Sequence, residues 1–271
     1  LQFDSLRDEV HKELRGARLR EVRLKALEHL NRHDISTTLV VTVKKGLNDG
    51  ELGEIIDFAM SQPCVRGVTF QPIQAAGRLE GYEPERDRLT LSEVRRRILE
   101  QSPLFQPDDL IPVPCNPDCL AMAYALKLGD QVLPLTRFVS PETLVSKGRN
   151  TIVVERDEEL RAHVFELFAT NHSPESQACS LSDLLCCLPQ VQAPAELSYR
   201  NVFRVLIMQF IDAHGFDLRA VKKSCVHIAQ PDGRIVPFDT FNLFYRDDKA
   251  AKLATLRQEI EQTRAIERSN A

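Results

Sequence analysis

Thr37-Thr38-Leu39-Val40-Val41-Thr42-Val43 is a β-branched run with almost no polar alternation, and its reading decides the fold class. Valine and threonine are stiff at Cβ and suit a pleated surface, and an unbroken run of this kind marks a parallel strand covered on both faces. Working outward, Lys44 to Gly50 reads as a turn, and Leu52, Ile55, Ile56 and Ala59 then recur at helical spacing. Cys64 to Pro72 is expected to be the next strand. Upstream, Leu19, Val22, Ala26, Leu27 and Leu30 mark one buried helical face, while Ser5 can cap a short helix through Leu14 that Arg15-Gly16 interrupts. Leu1 to Asp4 reads as the end of another strand. This alternation, with short connections, predicts two right-handed βαβ units of a parallel sheet.

After Ile73 the periodicity lapses. Thr90 and Glu93 form a capping box for a helix over Val94 to Leu99, and Pro103, Pro107, Pro112, Pro114, Pro117 and Pro134 then predict a loop-rich segment with short strands. Asp157 to Ala169 and Asn201 to His214 read as helices, the second closed by Gly215. Cys225 to Ala229 and Arg234 to Phe238 flank Pro231-Asp232-Gly233 as a β-hairpin, and residues 248–267 read as a charged helix. The domain expectation is 1–78, a connecting region 79–147 rich in Pro and Cys, and a C-terminal domain 148–271, with the boundary of the first falling near residues 75–100.

With 271 residues, a formal charge of −4, 43% hydrophobic and 27% charged positions, the chain has the composition of a soluble globular protein of one large or two ordinary domains. The near balance of charge implies no nucleic-acid partner. The longest apolar stretch, around Val205 to Met208, is broken by Arg204 and Gln209, well short of the ~18 residues a membrane span requires. Seven cysteines, an odd number, argue against a fully paired extracellular disulfide framework and for a reducing compartment. Leu1 opens the chain without an initiator Met or a signal segment, so it reads as part of a longer protein.

Pro114-Cys115-Asn116-Pro117-Asp118-Cys119 places two thiols three residues apart in a Pro-constrained loop, an arrangement that suits iron–sulfur clusters or zinc. Thiolates often bind such centres in sets of four, so Cys179, Cys186, Cys187 or Cys225 would complete it; buried inert thiols are the alternative. Neighbours such as Cys186 and Cys187 point about 100° apart on a helix and serve one ion poorly, though they suit a larger cluster. Cys225 and His227 share a strand face and can supply a ligand and a supporting group, although a half-buried strand has the same pattern. Cys64 and Cys179 alone read as packing. No Walker loop, dinucleotide-binding glycine fingerprint, nucleophile elbow or HExxH motif occurs. Lys44 and Asn48 lie at the C-terminal end of a parallel strand, where such sheets bind ligands, or they shape the turn there.

Leu1-Gln2-Phe3-Asp4, Leu14-Arg15-Gly16, Thr42 to Asp49 and Gly67-Val68-Thr69-Phe70-Gln71-Pro72, in this order, resemble the second half of the radical S-adenosylmethionine (SAM) barrel, strands four to six with their helices. The likeness covers about residues 1–78. Arg88-Leu89-Thr90 through Val94, Pro114 to Cys119, Pro134 to Val139, Cys225-Val226-His227, Pro231 to Arg234 and Pro237-Phe238 resemble the C-terminal region of the radical SAM group that includes tetraether lipid synthases. The resemblance implies an α/β fold: the last strands of a (β/α)6 barrel plus a C-terminal α+β auxiliary domain bearing cysteines. It implies SAM cleaved at a 4Fe-4S cluster to a 5'-deoxyadenosyl radical for C–H activation, an auxiliary iron or iron–sulfur centre held by Cys115, Cys119, Cys186, Cys187 and Cys225, and an electron donor such as ferredoxin or flavodoxin. Asp4, Thr42, Asn48 and Gln71 then stand where SAM is met, and Asp4 can equally hold a substrate.

Two departures qualify this. The Cys-x3-Cys-x2-Cys motif that holds the SAM-cleaving cluster is absent from these residues and is expected upstream, which would leave this segment inactive alone. Asp239 follows Pro237-Phe238 where related sequences are expected to carry another Cys. The substrate expectation is a lipid or another small molecule, in a cytoplasmic protein that is peripheral to a membrane in the lipid case. The rivals are a non-catalytic iron–sulfur, zinc-binding or electron-transfer module and a plain α/β interaction domain.

Overall fold

The computed structural model describes residues 1–76, 81–128, 131–147, 199–224, 226–246 and 255–262. The expected helix Asp157–Ala169 lies outside them, as do Cys179, Cys186, Cys187 and Cys225. Chain contacts divide the protein into a unit formed by Leu1–Ile73 with Leu89–Gln209, and a second formed by Gln74–Arg88 with Phe210–Ala271.

The first unit is a mixed α/β structure. Its helices are α1 (Asp8–Arg15), α2 (Arg20–Arg32), α3 (Leu52–Ser61), α5 (Leu91–Gln101) and α6 (Pro141–Lys147); the single turn α4 (Pro84–Asp87) belongs to the second unit. Its strands are β1 (Thr37–Val43), β2 (Val65–Pro72), β3 (Ile111–Pro112), β4 (Leu120–Leu128), β5 (Gln131–Pro134) and β6 (Val202–Met208). The sheet runs β1-β2-β6-β4-β3, with β5 pairing β4; β1, β2 and β6 are mutually parallel, and β4 runs antiparallel to β6, β3 and β5. Gln2 adds a parallel bridge to Val40, flanked by Phe3 N–H to Val40 O at 2.7 Å and Val40 N–H to Leu1 O at 2.8 Å. The expected strand end at residues 1–4 is therefore present as the outermost parallel contact.

Two apolar layers cover the sheet. Leu39, Val41, Val43, Val65, Val68 and Phe70 pack with Leu27 of α2, Ile55, Ile56 and Ala59 of α3, and Val94 and Ile98 of α5. Each buried Val, Leu, Ile or Phe of this layer contributes roughly 1.5–3 kcal/mol of transfer free energy. Along β1 the alternate residues Thr38, Val40 and Thr42 are only half-buried, so its second face is less covered than the apolar run suggested. In β4, Ala121, Ala123 and Ala125 face the helical layer, whereas Met122, Tyr124, Leu126 and Leu128 join Leu135, Val139, Leu144 and Leu206 on the other. This small–large alternation is the period of two that a strand requires.

Two sequence expectations are corrected here. Residues 201–214 do not form a helix: Val202-Phe203-Arg204-Val205-Leu206-Ile207-Met208 is β6, paired on one side with β2 and on the other with β4. Short apolar runs satisfy both periodicities, and hydrogen bonding to two neighbouring strands decides between them. The Pro-rich segment also holds more than short strands, because β4 is nine residues long.

α1 ends at Gly16, which takes φ 75° and sends its N–H to Lys12 O. α5 begins at the Thr90–Glu93 capping box, as the sequence predicts. The second unit contains α4, α7 (Leu218–Val221), the expected hairpin of β7 (His227–Ala229) and β8 (Ile235–Pro237), and a helical segment over Phe238–Tyr245. Gly233 closes the hairpin turn at φ 84°. In this unit the buried Asp212 carboxylate accepts N–H groups from Ala75, His214 and Gly215. Residues 255–262 are helical, within the predicted charged tail.

Candidate functional site

The C-terminal ends of the segment 1–4 and of β1 converge on Asp4, whose side chain is wholly buried and whose φ is 63°. Its carboxylate is met by Arg15 Nε at 2.8 Å on Oδ2 and by Arg15 Nη2 at 2.9 Å on Oδ1. Thr42 N–H at 3.0 Å and Gln2 Nε2 at 2.6 Å also donate to Oδ1. Burial alone pushes this carboxyl's pKa up; the hydrogen bonds from Arg15, Thr42 and Gln2, with the Arg15 charge, outweigh it and hold the group below the usual carboxylate range. The same pairing raises the pKa of Arg15.

Asn48 closes the cluster from the turn after β1. Its Nδ2 donates to Asp4 O at 3.0 Å and to Thr42 O at 2.8 Å, and its Oδ1 accepts Lys44 N–H at 2.8 Å. Both amide protons and the carbonyl are thus engaged, and the side chain is fully buried. Asp49 braces the same turn by accepting Gly46 N–H at 2.9 Å and pairing with Arg97 at 2.9 Å. Ser5 Oγ donates to Glu51 Oε1 at 2.5 Å while Arg7 pairs with Glu51 at 3.3 Å, which ties residues 5–7 to the start of α3. Ser5 Oγ also accepts Arg7 N–H at 2.9 Å.

Of the four residues expected from the sequence to meet SAM, Asp4, Thr42 and Asn48 are brought into one hydrogen-bonded cluster. Gln71 stands beside Thr42 as its register partner across β1 and β2. Thr42 and Gln71 are half-buried and keep a route to solvent, in contrast to Asp4 and Asn48. Lys44 pairs through Nζ with Glu13 at 2.7 Å. Arg15 and Gln2 complete the cluster, and sequence reasoning gave neither a role. The Leu14-Arg15-Gly16 stretch was the available signal, but nothing local indicates that residue 15 reaches back to residue 4.

Cys115 and Cys119 lie on the loop between β3 and β4, Cys115 half-buried against the second apolar layer and Cys119 buried; both are thiols. Asn116 organises the loop: its N–H reaches Val113 O at 3.0 Å, and its carbonyl accepts Cys119 N–H at 3.1 Å and Leu120 N–H at 2.9 Å. Among the described residues no group of three or more His, Cys, Asp or Glu is placed to hold a metal ion. The described thiols therefore do not by themselves make a cluster site, and Cys186, Cys187 and Cys225 fall outside the described residues. In the second unit, His227 is exposed on β7, and the Asp239 carboxylate accepts Ile211 N–H at 3.0 Å and the Ser224 hydroxyl at 3.1 Å. Asp239 thereby ties the start of its helical segment to Ile211 and Ser224.

No helix among the described residues is long and apolar enough to cross a membrane. No family model matches the chain. A curated protein of Methanocaldococcus jannaschii named 7,8-dihydro-6-hydroxymethylpterin dimethyltransferase is 28% identical over an alignment of 296 positions, covering 94% of this chain and 57% of that protein. The chain thus spans a little over half the length of the curated relative it matches.

Proposed function

We propose that the chain is part of a radical SAM-type enzyme that acts on a small heterocyclic molecule. The observation that carries this reading is the joining of Asp4, Thr42 and Asn48 at the C-terminal edge of parallel strands, with Gln71 in register beside them. In parallel α/β sheets that edge is the ligand side, because the loops that follow the strands are free to vary while the sheet holds them rigid. The cluster fits a ligand rich in hydroxyl, amino and carboxylate groups, as SAM is. In this reading Thr42 and Gln71 make direct polar contacts, and Asp4 and Asn48 hold the strand ends that present them.

The SAM-cleaving 4Fe-4S cluster would supply the radical chemistry when bound, and its ligands are not among these residues. What this chain contributes is binding, orientation and a covered floor that keeps water from the ligand's inner face. Cys115 and Cys119, with Cys186, Cys187 and Cys225, are proposed to hold an auxiliary iron centre. The relative's name supports a pterin-like substrate and methyl transfer, so the substrate class favoured is a small heterocycle, in place of the lipid implied by the likeness to tetraether lipid synthases. Ferredoxin or flavodoxin remains the proposed electron donor, and a cytoplasmic setting goes with it.

The test is anaerobic reconstitution of the full-length protein with iron and sulfide, followed by an assay for 5'-deoxyadenosine with SAM and a dithionite-reduced donor. Cleavage is expected, and a cluster-loaded sample that leaves SAM intact overturns the reading. The paired thiols of one loop also favour a second reading, a zinc or electron-transfer module. Metal analysis with a visible absorption spectrum separates the two, and replacing Cys115 and Cys119 by Ser should lower the iron content if the auxiliary centre exists.

A further inference from the structure

Asn116 stands between the two thiols of the loop 114–119. Its side chain is buried, at 7% exposure, and its Oδ1 has no hydrogen-bond partner among the described residues. The backbone of Asn116 is fully used: its N–H reaches Val113 O, and its carbonyl closes the turn by accepting Cys119 N–H and Leu120 N–H. An asparagine that opens such a turn ordinarily bends its side chain to the N–H two residues on. Here Oδ1 makes no such bond. A buried acceptor left unpaired costs free energy, so an orphan of this kind marks a place for a group that the chain itself does not supply.

The loop stands on the ligand edge of the sheet. Thr42 and Gln71 are register partners, Gln71 Nε2 lies 4.0 Å from Met208 Sδ, and Met208 pairs with Leu120, so one residue from each of β1, β2, β6 and β4 lines up across that end of the sheet. Because β4 runs antiparallel to β6, its first residue, and with it Cys119, comes to the end at which the parallel strands finish. Gln209 N–H fastens Cys119 O there at 2.8 Å. Cys115 is half-buried and Cys119 buried, and neither is in a disulfide.

A carboxamide oxygen only accepts, and the deprotonated thiols on either side of it in the chain are likewise electron-pair donors, so a cation is the class of group that satisfies all three. Two sulfurs and an oxygen suit a single borderline divalent ion such as zinc or ferrous iron, whereas the irons of a 4Fe-4S cluster are held by thiolates. We propose that Asn116 Oδ1 is a ligand, with the Cys115 and Cys119 thiolates, of a single divalent metal ion at the ligand edge. This deepens the auxiliary-centre reading and rests on it. Three ligands then come from one short loop, and the thiol protons leave to solvent as the ion binds.

The experiment strips the full-length protein of metal with a chelator and titrates it anaerobically with cobalt(II), whose visible spectrum reports its own ligands. A double variant, Cys115→Ser with Cys119→Ser, supplies the reference for cobalt held elsewhere. Wild type should show sulfur-to-cobalt absorption beyond that reference. Asn116→Ala should keep this absorption, shift the cobalt bands and weaken binding about tenfold, the order by which the loss of one supporting group at a metal site is felt. Asn116→Asp, which puts a carboxylate oxygen where the amide oxygen was, should bind at least as tightly as wild type. Circular dichroism shows which variants are folded, and either one decides should the other fail to fold. Wild-type affinity and spectrum in folded Asn116→Ala, or weaker binding in folded Asn116→Asp, overturns the proposal and leaves the thiol centre standing. A wild type that takes up no more cobalt than the reference overturns both.

Discussion

Gly67 of β2 lies opposite Arg204 of β6, and a Cβ at position 67 would fall inside contact distance of the Arg204 carbonyl oxygen. The two parallel strands therefore approach through a gap that only a glycine leaves open, and this contact joins β1 and β2 to the rest of the sheet.

Replacing Gly67 by Ala should cost about 1–3 kcal/mol, because the opposing atom is backbone and cannot swing aside. Urea unfolding of the variant against wild type measures it. A loss near zero would show that β2 and β6 do not share this register.

Asp4→Asn should destabilise by about 2–3 kcal/mol, less than for a wholly buried pair because water can reach part of Arg15. The carboxyl's pKa is held below its ordinary value, so its contribution is complete above the unfolded value of 3.8 and is lost as pH falls through the folded value. Acid unfolding followed by circular dichroism should show this limb in wild type and not in the variant.

Asn48→Ala leaves Asp4 O, Thr42 O and Lys44 N–H without their side-chain partner, an expected loss of about 2–4 kcal/mol. Asn48→Asp should be at least as damaging although it is isosteric, since a carboxylate would face two carbonyl oxygens. Thermal melts decide the order, and an Asp variant more stable than the Ala variant would contradict the assigned contacts.

Lys127 supplies the pH dependence on the alkaline side. Its Nζ donates to Met60 O at 3.0 Å and Val65 O at 3.4 Å and lies 5.1 Å from the centre of the Phe203 ring. Burial, followed by the neighbouring Arg66 charge, lowers its pKa to about 8, with Cys64 acting in the opposite sense. Between about 8 and the unfolded value of 10.5 the unfolded chain binds more protons, so stability rises with pH across that window. The difference in urea midpoint between wild type and Lys127→Met should increase from pH 8 to pH 10, and a flat difference would refute the assignment.

Much of the parallel sheet was legible without coordinates. β1, α3, β2 and the capped start of α5 each carry a local pattern, in β-branching, helical spacing or cap residues, and each appears where that pattern puts it. The polar cluster of the candidate site was half legible. Thr42, Asn48 and Gln71 announce themselves by standing at or just after strand ends, and Asp4 by closing the first segment. β6 was not legible, because Val202 to Met208 satisfies strand and helix spacing alike. β4 was obscured by the prolines around it, although its alanines and larger residues alternate.

What the sequence determined alone is therefore the set of local elements and the edge on which polar residues gather, since propensity and periodicity act over a few neighbouring positions. Tertiary structure alone decided that β6 enters between β2 and β4 and that Arg15 returns to Asp4 and Thr42. Both depend on where distant chain segments meet, and the desolvated backbone and carboxylate found there gain their hydrogen bonds only once those segments are brought together.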